Sequence, residues 1–187
     1  MGILKVIRNT DDGLQYMYNA LNYVLYGHTD YDRRYSLNTD IDNSYEQFLS
    51  VKKYFYKTSG NPIFHFIVVY DAKSTWGDNI EKAEYMSRSI ASYFSDKFQV
   101  VWCIHKKPCS KKYGGCTSLY HAHFVMNSVS YINGKMFGGS YAEIYAFLEY
   151  IKRVTGDKSW VVQYGSDKDK RYEVDENGYG KMYYIIY

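Results

Sequence analysis

Apolar residues recur along this chain with two periods, and the switching between them predicts strands alternating with helices. Ile3–Ile7 reads as a first or edge strand. Thr10 or Asp11 fits the N-cap of a helix carrying Leu14, Met17, Tyr18, Leu21 and Leu25 at helical spacing, with Gly27 as its stop. A second helix is expected over residues 42–57, with Tyr45, Phe48, Leu49 and Phe55 on one side, leading through Gly60, Asn61 and Pro62 into an apolar strand around His65. A third, over residues 78–94, carries Ile80, Ala83, Ile90 and Phe94 and leads into a strand ending at His105. A basic, glycine-rich excursion over residues 106–119 returns the chain to the apolar run from Tyr120 to Met126. Asn133 and Gly134 mark a tight turn. Ser140 and Glu143 form a capping-box signature ahead of Ile144, Phe147, Leu148 and Ile151. Residues 159–164 and 182–187 read as strands separated by a charged loop.

The sum is one α/β (α+β) domain over residues 1–187, with a central, mainly antiparallel sheet covered by helices and the histidine strands in its middle. At 187 residues and 46% hydrophobic, the chain can bury a core without disulfides or partners. Its net charge of +3 is too mild for a polycationic tail, so any nucleic-acid site must be local. Three cysteines suit reduced thiols. Cys109 and Cys116, with His105 or His121, offer a structural zinc site in principle, although their spacing is wider than usual. No run approaches the eighteen apolar residues of a membrane span, so a soluble protein inside the cell is expected. The chain stops within an apolar run, as the N-terminal part of a longer protein would. Its 24 tyrosines are spread throughout, half-buried aromatics or stacking surfaces for bases.

Chemistry enters at His121, Ala122 and His123. On a strand, residues two apart point to the same face, so both imidazoles can serve one metal ion. A third nitrogen would come from His105 or His65, each in an apolar strand-like run. Three imidazoles with open positions suit a divalent ion, Mn2+ or Mg2+, that also holds a phosphate. A hydrogen-bonded pair of core histidines is the bland alternative. Beside such an ion, a tyrosine hydroxyl can attack a phosphodiester. On the first helix Tyr23 falls nearly opposite the apolar residues, Tyr16 also faces away from the core, Tyr26 lies to the side, and Tyr18 counts as core. Tyr23 equally reads as an ordinary exposed helix residue.

These residues resemble the MobA-type relaxases, DNA-nicking nucleases of the HUH endonuclease superfamily that serve mobilisable plasmids and conjugative elements. The resemblance runs from Ala20 to Leu25, through Lys52 to Lys57, the strand Phe64 to Val68, the helix through Ala83 and Ile90, and Phe98 to His105. It ends in His121 to Val129 followed by Asn133 to Phe137, and the His105 and His121 segments, in that order, are its specific part. It implies an HUH-like fold, Tyr23 as nucleophile, and His105, His121 and His123 as metal ligands. It departs in two places. Lys107 stands where an acidic residue is usual, and an inserted loop precedes His121, which keeps His65 open as a substitute third ligand or as support near the scissile phosphate.

The implied activity is site- and strand-specific nicking of an origin of transfer in the bacterial cytoplasm through a 5′-phosphotyrosine intermediate. Implied partners are single-stranded and origin-of-transfer DNA, relaxosome accessory proteins and a coupling protein. A rolling-circle initiator or transposase would use the same histidines but take its tyrosine from the later helix, where Tyr141 and Tyr145 share a face. A nonenzymatic single-strand-binding module is the third reading. Asn127 lies on the histidine face, about 13 Å beyond His123 at a rise of roughly 3.3 Å per residue, too far to ligate and placed to hold DNA or to make a structural bond. Lys106, Lys107, Lys111 and Lys112 form the candidate DNA-binding patch, or simply a solvated loop.

Overall fold

The computed structural model describes residues 2–7, 13–27, 33–71, 74, 76–77, 79–106, 120–165, 170–174 and 180–184. Its elements run β1 (Ile3–Ile7), α1 (Gly13–Tyr26), β2 (Arg34–Leu37), α2 (Ser44–Tyr54), β3 (Ile63–Val69), α3 (Ile80–Ala91), β4 (Val100–Lys106), β5 (Tyr120–Asn127), α4 (Tyr141–Thr155), β6 (Val161–Gly165), β7 (Lys170–Val174) and β8 (Gly180–Tyr184). A short 3-10 turn, Ser92–Phe94, continues α3. Six strands form one sheet in the order β2-β4-β5-β3-β1-β6, and β7 pairs with β8 in a separate hairpin. Every pair in the large sheet is antiparallel except β1 with β6. The result is the expected α+β domain with a mainly antiparallel sheet.

Strands β3, β4 and β5 are apolar on both faces, which demands cover on both sides. On one face Phe66, Val68, Trp102, Ile104, Phe124 and Met126 pack with Ile90 of α3 and Phe147 of α4. On the other, Ile63, Val101, Cys103 and Val125 pack under Met17, Leu21 and Leu25 of α1 and Phe48 of α2. All four histidines of these strands occupy odd positions, the parity of the α1–α2 face.

The best-signalled helix forms as expected. Ser140 caps α4 by accepting from the Glu143 amide, the Glu143 carboxylate accepts in return from the Ser140 amide, and Gly156 ends the helix with φ +68°. Asn133 and Gly134 lie in a turn closed by a bond from the Gly134 amide to the Ser130 carbonyl, and it brings Val129 and Met136 together as a β-bridge. Three strands go beyond what the spacing predicts. β1 is the first strand of the chain, as one of the two readings had it, and it lies inside the sheet between β3 and β6, not at an edge. β2 is a four-residue strand formed by pairing with β4, stacking Tyr35 on Trp102. β7 occupies part of the stretch read as a charged loop. The expected cap at Thr10 or Asp11 lies outside the described residues. No helix among them is long and apolar enough to cross a membrane.

Candidate active site

The antiparallel register of β4 and β5 sets His105 directly opposite His121 and Cys103 opposite His123. Side-chain alternation then puts the three imidazoles on one face. Their ring centroids lie 5.5 Å apart for His105 and His121, 4.5 Å for His105 and His123, and 5.1 Å for His121 and His123. One donor atom from each lies within 4.8 Å of the other two. His105 and His123 are buried while His121 is half-buried, so the cluster opens toward solvent on one side. Three convergent imidazole nitrogens with an open side fit a divalent ion that keeps positions for exogenous oxygen.

Helix α1 lies across these strands. It buries Met17, Ala20, Leu21, Val24 and Leu25, a stripe at helical spacing. Tyr23, off that stripe and 48% exposed, presents its ring edge-on to His123 at 5.6 Å and to His105 at 6.2 Å. The helix ends one turn later where the Gly27 amide donates to the Tyr23 carbonyl. A Cβ at position 27 would stand 2.6 Å from that carbonyl oxygen, so the close approach requires glycine.

The other tyrosines are placed differently. Tyr18, expected in the core, is 48% exposed and meets Tyr45 edge-on at 5.4 Å. The buried stripe centres on Ala20, Leu21 and Val24, leaving Tyr18 at its edge. Tyr16, expected to face away from the core, is half-buried against the α1–α2 cluster. Tyr26 donates its hydroxyl to Asp42 at 3.1 Å under the Arg34 guanidinium, which lies 5.1 Å from its ring centroid. Partial burial, then the hydrogen bond and charge of Asp42, raise the Tyr26 pKa above its ordinary value and hold the phenol protonated. Tyr141 and Tyr145 are exposed on α4, the helix that packs on the opposite face of the sheet from the histidines.

His65 is not one of the three converging histidines. Its Nε2 lies 3.0 Å from His123 Nδ1, with both rings buried. Asn127 is fully buried, donating from Nδ2 to the Phe48 carbonyl and to Gln99 Oε1 and accepting at Oδ1 from the Val129 amide. These bonds tie the end of β5 to α2. Lys106 is exposed at the end of β4, next to His105. Lys107, Lys111, Lys112, Cys109 and Cys116 lie outside the described residues. Cys103 is buried in the core. Two features had no signal in the spacing of residues along the chain: the cross-strand bond between His65 and His123, and the grouping of Arg34 and Asp42 around Tyr26.

The model of the MobA/VirD2-like relaxase nuclease domain matches residues 23–160. The chain belongs to that relaxase family. The matched span opens at Tyr23 and takes in His65, His105, His121 and His123, so the histidine cluster sits within a relaxase nuclease domain that binds and nicks DNA. Neither curated proteins nor solved structures gave a significant match.

Proposed function

We propose that this relaxase nicks one strand at the origin of transfer of a mobile element, with Tyr23 as its nucleophile, and so begins conjugative transfer in the bacterial cytoplasm. One observation carries the reading: Tyr23 is the tyrosine of α1 whose exposed ring lies over the histidine cluster. Its helix neighbours are otherwise engaged, Tyr26 by Asp42 and Tyr18 by Tyr45. His105, His121 and His123 would hold a divalent ion, Mn2+ or Mg2+, which when bound supplies Lewis-acid polarisation of a phosphoryl oxygen.

Tyr23 Oη attacks the scissile phosphorus in line, forming a phosphotyrosyl bond as the bond from phosphorus to the 3′ oxygen breaks. The phenolic proton passes to solvent and the leaving 3′ oxygen takes one from solvent, giving a free 3′ hydroxyl and a 5′-phosphotyrosine. Reversal rejoins the strand, because the bond energy is retained in the phosphodiester. Relaxosome accessory proteins and a coupling protein are the partners this role requires, alongside single-stranded and origin-of-transfer DNA.

The test is a suicide oligonucleotide carrying the nick sequence, with the trapped residue mapped by mass spectrometry. The adduct is expected on Tyr23, and Tyr23→Phe should bind DNA while forming none. An adduct on Tyr141 or Tyr145 would make the protein an initiator-type enzyme. One on Tyr16 or Tyr26 would keep the class and refute the assigned nucleophile. Binding without any adduct in the wild type would leave a single-strand-binding module.

A further inference from the structure

An imidazole has two nitrogens, and each can serve one partner at a time. His123 sits in the middle of the histidine group, with His105 and His121 of the converging set on one side and His65 of β3 on the other. Its Nδ1 faces His65 Nε2 at 3.0 Å, so an ion held by His123 would take its Nε2. Once Nε2 carries a cation, the remaining nitrogen of a neutral ring must be Nδ1–H, a donor. His65 Nε2 must then accept, so the proton of His65 rests on its own Nδ1. A histidine held through its second nitrogen has both its tautomer and its ring orientation set before the ion arrives.

We propose that His65 is a positioning residue for the metal centre, acting through His123 and not as a ligand. This rests on the reading of His105, His121 and His123 as the metal site. The bond is well sheltered to do this, since both rings are buried and β3 is paired on both sides, with β5 and β1, so neither partner can swing away without disturbing the centre of the sheet. His65 also stands opposite Val125 in the register, two residues along β5 from His123 and on the same face, and the bond therefore crosses diagonally between the strands. That diagonal explains why His65 approaches the site without joining the converging nitrogens.

The test is Mn2+ titration calorimetry on the wild type, His65→Phe, His65→Gln and His105→Ala, with circular dichroism and thermal melting as folding controls. His65→Phe keeps ring volume and loses the acceptor. His65→Gln places an amide oxygen near the former Nε2. We expect His65→Phe to weaken Mn2+ binding about 10- to 100-fold, His65→Gln to stay within a few-fold of wild type, and His105→Ala to lose binding. Nitrogen-15 NMR of the zinc-loaded protein should show a proton on His123 Nδ1 and none on His65 Nε2. Equal Mn2+ affinity in wild type and His65→Phe overturns the proposal while leaving the metal site standing. Equal losses in His65→Phe and His65→Gln overturn it in favour of a packing role. Complete loss in His65→Phe with binding retained in His105→Ala makes His65 a ligand. A wild type that takes up no divalent ion removes the metal centre itself, and this proposal with it.

Discussion

His121 and His123 carry the clearest residue-scale consequence. Each supplies one of the three imidazoles that converge among the described residues, so His121→Ala or His123→Ala should lose bound divalent ion and nicking together, measured by calorimetry and by oligonucleotide cleavage. In the wild type, ion at a hundredfold excess over its Kd should add about 2.7 kcal/mol of stability, visible as a rise of several degrees in Tm that both variants lack. Lys52 makes a separate prediction. It is buried, with its ammonium donating to Ser128 Oγ at 2.9 Å, and burial lowers its pKa to about 8. Below that pH the folded and unfolded states both hold the proton, and the cost of burying the charge is constant. Between about pH 8 and 10.5 the folded state releases it first, so stability should climb with pH by up to about 3 kcal/mol. Lys52→Met should abolish this part of the climb, read as the difference between wild-type and variant denaturation curves across that range. The paired histidines were legible in the sequence because strand alternation has a fixed period. The exposure of Tyr18 and the partial burial of Tyr16 are not legible there, because both sit at the margins of the apolar stripe of α1, where a neighbouring element decides burial. For Tyr18 that neighbour is Tyr45, a residue of another helix.

Among elements, α1 and α4 respond to different kinds of damage. α4 is fixed by its own ends, and Ser140→Ala should cost about 1 kcal/mol, seen in thermal melting with little change in nicking, since the cap lies on a helix of the opposite face. α1 ends where Gly27 meets the Tyr23 carbonyl, so Gly27→Ala must move the turn that carries Tyr23. A displacement of about 1 Å can cost up to about 100-fold in rate. Adduct formation should therefore fall at least tenfold while single-strand affinity and Tm stay near wild type; an unchanged rate would show that the last turn of α1 does not position the tyrosine. The helices and the long central strands were legible because each spans enough residues to display its period. β2 and β7 were not. β2 has four residues, all half-buried, and takes its form from pairing with a strand some sixty residues later, while β7 is charged and, among the described residues, pairs with β8 alone. The interior position of β1 is likewise set by the return of β6, which no local pattern encodes.

At the scale of the whole molecule, a net charge of +3 leaves little long-range attraction for DNA, so the salt dependence of binding should be shallow and local in origin. Replacing Lys111 and Lys112 with alanine should flatten the plot of log affinity against log salt by about one unit, at roughly 0.7 per phosphate on single strands, without slowing cleavage of prebound substrate. Fluorescence anisotropy across a salt series measures the first effect and single-turnover cleavage the second. An unchanged slope would assign strand binding to aromatic stacking and to other cations such as Lys106. The sheet order also joins distant parts of the chain: Tyr23 lies in the first helix, whereas the strands beneath it are the fourth and fifth. During synthesis the ribosome therefore releases Tyr23 before His105, His121 and His123, so the proposed nucleophile and its proposed metal ligands come together only once β4 and β5 have been made and paired.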